Sequence, residues 1–457
     1  MNRAETNSGE LLIDASTAGA LPADRANNVT ASINPVPAVV ITPLLIAACV
    51  VVFCAMKLLP MPHGLMASQR STLWGANFGP LTLGGQPWRL FTSVFVHLGW
   101  LHLAVNMWCL WDLGSFAERL YGRTMFLTIY LTTGIAGSLL SLLWHPFSVE
   151  AGASGAVFGI AGALIASFCL GDHPFPRHAM KAVLLSVLAF AGYNLFVGIF
   201  NGGAGNAAHI GGLVSGLLVG ALLAWTSARW MVVAAAACSL VLGYGLIVRA
   251  EGYIVPAERG RTLLAAGQSK QAIGDLNESV RKNPDFAEGF SLLGQAYLQQ
   301  QQFPAAEQSF RRSLALQPAA NDVRYQLAMV LLAERRAKDS IAAFAEIVKR
   351  DPANASARIG IGTAAAMNGN FELALQAFQS AAKLDPANPQ VYAGIGVAAM
   401  QLNEPDIAVA ALMKQVDIEP DNANALLQLA LAYKAKGMQK DAQQTYERAL
   451  ALAASKK

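Results

Sequence analysis

Charge is what this 457-residue chain is short of. Asp, Glu, Lys and Arg make up 14% of it, against about 25% in a typical soluble domain. With 54% of the residues hydrophobic, that shortage excludes ordinary disorder and a single soluble globule. The net charge of +4 is too small to argue for nucleic acid as a partner. Cysteine is scarce as well. Five are present, Cys49, Cys54, Cys109, Cys169 and Cys238, all within apolar stretches. They read as small buried hydrophobes; their spacing implies no disulfide framework and no metal site, and no cofactor is expected.

The shortage is uneven. Residues 1–250 carry 19 charged side chains and residues 251–457 carry 43, so a membrane-like half precedes a soluble-like half. A bilayer-spanning helix needs about 20 mostly apolar residues, because lipid offers no partner for a backbone amide and charge is costly there. The charge-free stretches are 26–56, 90–111, 124–149, 151–171, 182–228 and 230–248. The fifth is long enough for two spans and is broken by the Gly-rich run 201–206, which gives seven spans in all. Residues 1–37 are polar, carry three prolines and read as an unstructured leader without the features of a signal peptide. The first span then begins near Ala38 and stays as an anchor. Arg119, Arg123, Arg177, Lys181 and Arg229 lie in alternate short loops, which puts the N-terminus inside and the C-terminus outside. The long first loop, with Lys57, Arg70 and Arg89, runs against that bias. The expected location is a plasma membrane, with the C-terminal half on the outer side.

The soluble half repeats itself. Pro284, Pro318, Pro352, Pro386 and Pro420 are 34 residues apart. Twelve residues before each stands a small residue (Ala272, Ala306, Ser340, Ala374, Ala408) and eight before stands a bulky one (Leu276, Phe310, Phe344, Phe378, Leu412). Gly294, Gly362 and Gly396 recur where helices must approach closely. This is the signature of tetratricopeptide repeats, antiparallel helix pairs stacked into a solenoid. About six fit within 251–457. Such a solenoid presents a groove for a protein or peptide and does no chemistry itself. The fold class is therefore all-α, a helical membrane bundle over 38–250 followed by an α-solenoid.

Polar residues at membrane depth are candidates for function, since burying them without partners costs several kcal/mol. Ser154 lies in Gly152-Ala153-Ser154-Gly155 at the start of the fourth span. His209 opens the sixth, in Ala208-His209-Ile210-Gly211-Gly212. His102 and Asn106 lie one helical turn apart near the start of the second. Each has a plain alternative. Gly-x-Ser-Gly serves small-residue packing, and Gly155 and Gly159 form a Gly-x-x-x-Gly face. Gly212, Gly216 and Gly220 let the sixth span approach a neighbour whatever His209 does. His97 reads as a solvated or structural loop histidine. Spans 2, 4 and 6 all run from outside to inside, however, so the four residues begin at one leaflet.

On these motifs, together with Trp88-Arg89 in the first loop and Glu118-Arg119 with Gly122, the membrane half resembles the rhomboid intramembrane serine proteases over roughly 38–226. One departure is Phe158, where that family often has a tyrosine beside its catalytic histidine; a ring can still stack there without a hydroxyl. The resemblance implies proteolysis of transmembrane proteins. The residues permit that chemistry independently. His209 would take the proton of the Ser154 hydroxyl as a dyad, with no acid in the spans to complete a triad. The Ser154 N–H and the side chains of His102 and Asn106 would stabilise the oxyanion. The expected substrate is a single-pass membrane protein cut near its outer end, at a small residue with helix-breaking neighbours deeper in. The expected partners are such substrates, the lipid bilayer and a ligand of the repeat groove. The alternative is an inactive rhomboid-like scaffold whose repeats recruit partners.

Overall fold

The computed structural model describes residues 38–60, 64–171 and 205–455, with positions 181, 185, 187, 188 and 192. The leader 1–37, most of the expected fifth span and residues 201–204 of the Gly-rich run lie outside them. Among the described residues the chain is helical throughout. The one bridge outside the helices is an antiparallel pair between Asn77 and Glu150.

The membrane half begins with α1 (Ile41–Leu58), then the short α2 (Ala67–Leu73), α3 (Gly79–Leu83) and α4 (Arg89–Thr92). It continues with α5 (Trp100–Cys109), α6 (Ser115–Tyr121), α7 (Arg123–Trp144), α8 (Ser154–Leu170), α9 (Asn206–Trp225) and α10 (Arg229–Ala250). Four of these, α1, α7, α9 and α10, are long and apolar enough to cross a membrane. The charge-free stretch 90–111 is not one straight span. It bends by 92° between the Arg89–Phe95 and Trp100–Tyr121 segments, and the upright part starts only at Trp100. Gly99 is extended there (φ −156°, ψ 167°), so the helical hydrogen-bond ladder restarts after it. Counting charges measures how much apolar chain exists and does not register where the chain turns.

Two buried charged residues, one in the first loop and one on α6, are anchors. Arg89 is buried, and its guanidinium donates to Gln86 Oε1 (2.7 Å) and to the carbonyls of Thr72 (2.6 Å) and Ala76 (3.0 Å). Glu118 lies under the start of α1. Its Oε1 accepts from the Val40 and Ile41 N–H groups (2.7 and 2.8 Å), and its Oε2 from the Thr42 N–H and hydroxyl (2.8 Å each). A carboxylate there satisfies donors that a helix start leaves unpaired.

The core is α8, sheathed by α7 and α9. Glycine makes that possible. A Cβ on Gly212 would strike the Gly155 carbonyl, one on Gly216 the Gly159 carbonyl, and one on Gly220 the Ala163 carbonyl. Backbone meets backbone along the whole glycine stripe. The cysteines depart from the expectation of uniform burial. All are free, and only Cys49 is buried, while Cys169 and Cys238 are exposed on the protein surface. In apolar helices that surface is the one lipid covers.

Six antiparallel pairs follow. The first is α11 (Ile254–Ala265) with α12 (Ser269–Lys282), and the second opens with α13 (Ala287–Gln299) and closes with Phe303–Leu316. The remaining pairs run from Asn321–Ala333 to Gln439–Ser455. The recurring small residues Ala272, Ala306, Ser340, Ala374 and Ala408 are fully buried. Where glycine recurs it makes room for the bulky residue of the same pair: a Cβ on Gly294 would meet Phe310, one on Gly362 Phe378, and one on Gly396 Leu412.

Candidate active site

The site grows from the segment between α7 and α8. Gly152 has φ +133°, and a Cβ on it would lie 2.7 Å from His102 Cε1, so both backbone conformation and the His102 ring require glycine. The turn delivers Ser154 as the first residue of α8, with the unpaired N–H groups of the helix start beside it. At 17 residues α8 is about 25 Å long at 1.5 Å per residue. That is shorter than a bilayer core of roughly 30 Å, so α8 does not span such a core from face to face.

His209 stands in the first turn of α9. Its Nε2 lies 3.0 Å from Ser154 Oγ, within hydrogen-bond range for a nucleophile and its base. The Phe158 ring, one turn below Ser154 on α8, stacks on the imidazole at 4.4 Å with 6° between planes. His209 Nδ1 is buried and has no hydrogen-bond partner among the described residues. Among the described residues it is an aromatic face, and not a carboxylate, that contacts this imidazole.

His102 and Asn106 both lie on α5. His102 packs on Gly152, and buried Asn106 donates its amide to the His102 carbonyl one turn back (2.8 Å). Neither is hydrogen-bonded to Ser154 among the described residues. All four residues named from sequence therefore lie on elements that meet around the 152–154 turn, with only the serine and His209 joined directly.

His97 is the residue that sequence reading undervalued. It is fully buried, its Nδ1 lies 3.3 Å from the Phe95 carbonyl, and its Nε2 accepts the Ala153 N–H at 3.4 Å. A carbonyl can only accept and an amide can only donate, so the proton sits on Nδ1. His97 holds the backbone of the residue immediately before Ser154. Its position five residues before His102 gave no sign of that, because the 92° bend that turns it inward was not legible. Among the described residues no group of three or more His, Cys, Asp or Glu could hold a metal ion.

Residues 84–226 match the rhomboid domain model. Residues 258–321 and 325–389 match one tetratricopeptide repeat model, and 389–422 and 423–456 another. The chain is 28% identical over 280 residues to the rhomboid protease GluP of Bacillus subtilis (strain 168), covering 60% of this chain and 54% of that protein. It is 33% identical over 168 residues to the rhomboid protease AarA of Providencia stuartii, covering 32% of this chain and 59% of that one. It is 36% identical over 146 residues to RHOMBOID-like protein 7 of Arabidopsis thaliana, covering 32% and 46%. The chain spans about half the length of these relatives. Among solved structures, MamA is similar at 24% identity and a TM-score of 0.35, over 36% of this chain and 96% of that one. YrrB, a tetratricopeptide repeat protein with an unusual peptide-binding site, is similar at 21% identity and a TM-score of 0.35, over 38% and 89%. The described helices, the family matches and the rhomboid relatives agree: this chain joins a rhomboid domain to a series of tetratricopeptide repeats.

Proposed function

We propose that the chain is an intramembrane serine endopeptidase, with a membrane-embedded catalytic unit over 38–250 and a partner-binding solenoid over 251–457. The observation that carries the reading is the 3.0 Å approach of His209 Nε2 to Ser154 Oγ, from two helices held together by a glycine stripe. His209 takes the Ser154 proton as the oxygen attacks the scissile carbonyl, then gives it to the leaving amine. Water, activated by the same imidazole, releases the acyl group. The Ser154 N–H at the start of α8, with His102 and Asn106, stabilises the oxyanion; one such donor is typically worth about 2.7–4 kcal/mol. Asn106 can serve once its amide turns from the His102 carbonyl toward the substrate oxygen.

The substrate is a transmembrane segment unwound near its outer end, since only such a segment reaches a serine below the bilayer surface from the side. The repeats bind a substrate ectodomain or an adaptor, and the protein works in a plasma membrane. The test is cleavage of a model transmembrane substrate by purified wild type, Ser154→Ala and His209→Ala, with fluorophosphonate labelling in parallel. Cleavage and Ser154-dependent labelling by the wild type, lost in both variants, is the expected result. Cleavage that survives both changes sinks the dyad. A wild type that neither cleaves nor labels favours a scaffold.

A further inference from the structure

The segment leading into Ser154 is held from two sides, and one of them is the repeat domain. On the membrane side its backbone is pinned residue by residue. The Gly79 N–H donates to the Pro146 carbonyl (3.0 Å), Asn77 and Glu150 exchange N–H···O bonds in both directions (2.9 Å each), and the Gly152 N–H donates to the Ser93 carbonyl (2.9 Å). Ala153 ends the series on His97.

On the other side stands Phe147. Its ring lies parallel to that of Phe286, 5.9 Å between centroids and 11° between planes. The Arg261 guanidinium sits over the same ring at 5.0 Å. Arg261 is itself held by Glu288 (2.6 Å) and Glu258 (3.2 Å), and Phe286 is backed by Tyr253 at 4.9 Å. All five partners belong to the first repeat or to the start of the second. Nearby, α11 packs on α3, and the Tyr244 hydroxyl at the end of α10 donates to the Thr82 carbonyl (3.3 Å). The Thr82 hydroxyl then donates to Asn77 Oδ1 (2.8 Å), and Asn77 Nδ2 to the Ser138 carbonyl (3.0 Å). A continuous chain of contacts runs from the first repeat to the residue before the serine.

We propose that the start of the tetratricopeptide array, the first repeat with the residue that opens the second, is a positioning element of the active site, gripping Phe147 between Arg261 and Phe286 and so fixing the 145–153 segment that sets Ser154 and its oxyanion donors. Phe147, Arg261 and Phe286 act through the backbone and touch no substrate. The inference rests on the protease reading for its effect on rate, and its structural part stands without that reading. Aromatic pairs are attractive with centroids about 4.5–7 Å apart, offset or edge-on arrangements being preferred, and a guanidinium over a ring adds to the attraction. A small displacement of a reacting group costs up to about 100-fold in rate.

The experiment uses the full chain in lipid nanodiscs, as wild type, Phe147→Leu, Phe147→Tyr, Phe286→Leu and the Phe147→Leu/Phe286→Leu pair. Hydrogen exchange of the 145–153 amides is read first, because it needs no catalysis. The expected result is faster exchange at Gly152 and Ala153 in both Leu variants, wild-type exchange in Phe147→Tyr, and no further acceleration in the pair. Fluorophosphonate labelling of Ser154 and kcat should fall together by about 10- to 100-fold in the Leu variants, with KM unchanged. Unchanged exchange in the Leu variants overturns the proposal, as does acceleration that adds up in the pair or persists in Phe147→Tyr. A rise in KM alone also overturns it, since that would make the contact a substrate-docking surface. Faster exchange in the Leu variants of a protein whose wild type never labels keeps the grip and removes the protease reading instead.

Discussion

At the scale of single residues, the candidate site sets an imidazole close to a serine and stacks a ring on that imidazole. His209 has a serine 3.0 Å away and a phenyl ring on its face, whereas a triad acid would accept from the in-plane Nδ1–H, which has no partner among the described residues. The four residues legible in the sequence were legible because polarity inside a charge-free stretch is costly and therefore conspicuous. In sequence His97 reads only as a solvated or structural loop histidine, and Glu150 is not singled out, for the opposite reason: both lie near loops, where polar residues are ordinary. Glu150 carries a consequence for pH. Burial pushes its carboxyl up to about 7, with the Ser141 side chain offsetting part of that shift. The folded chain then holds the proton more readily than the unfolded one, whose carboxyl titrates near 4.5. Folding is favoured by this group in acid, and the advantage declines as pH rises from 4.5 to about 7 and is gone above it. Thermal unfolding across pH 4.5–8 should show a wild-type midpoint that falls relative to Glu150→Gln over that window and runs parallel to it above. Curves that stay parallel throughout would remove Glu150 from the account.

At the scale of elements, the repeat pairs were readable because a 34-residue period survives in the residues that pack. One feature of the same period was not readable. Positions 267, 301, 335, 369, 403 and 437, at the turn within each pair, all have positive φ. Gly267, Gly369 and Gly437 adopt it without strain, whereas Gln301 (φ 56°), Arg335 (φ 59°) and Asn403 (φ 60°) do not have that freedom. The backbone imposes the same left-handed turn six times, and only half the sequence advertises it. A left-handed conformation costs a residue with a Cβ about 1–2 kcal/mol, asparagine least. Arg335 is exposed, so Arg335→Gly loses no packing. It should stabilise the repeats by up to about 1 kcal/mol once the greater freedom of glycine in the unfolded chain is subtracted, read as a higher unfolding midpoint. A lower midpoint would mean that the arginine side chain contributes something its exposure conceals. The bend at Gly99 taught the converse lesson, that an apolar run predicts membrane residence better than it predicts one straight helix.

At the scale of the whole molecule, the composition that looks sparse is an average over two environments, and α10 connects them. It starts beside α7, with Arg229 donating to the Tyr121 carbonyl (2.9 Å). It runs alongside α7 until Ile247 joins Leu139, Leu142 and Leu90 in one cluster. The parallel course brings the repeats out on the face where α8 and α9 begin, the face of Ser154 and His209. On the bias of basic residues in the short loops, that face is expected to be the outer one. In intact cells an added protease should therefore digest the repeats and leave a protected membrane fragment. Full protection of residues 251–457 would invert the orientation and with it the compartment in which substrates are cut. The packing that makes the two halves touch could not be foreseen from either half alone, because Phe147 and Phe286 are 139 positions apart and neither belongs to a motif.

The α10 helix has mechanical meaning as well. Along its 22 residues only Val232 and Ile247 are buried, so little protein braces it sideways. Six stacked pairs fixed at one end by such a strut form a lever, and the nearest fulcrum is the contact around Phe147. By the length of that arm, a pull on the last repeat would load the contact around Phe147 more heavily than the same pull on the first.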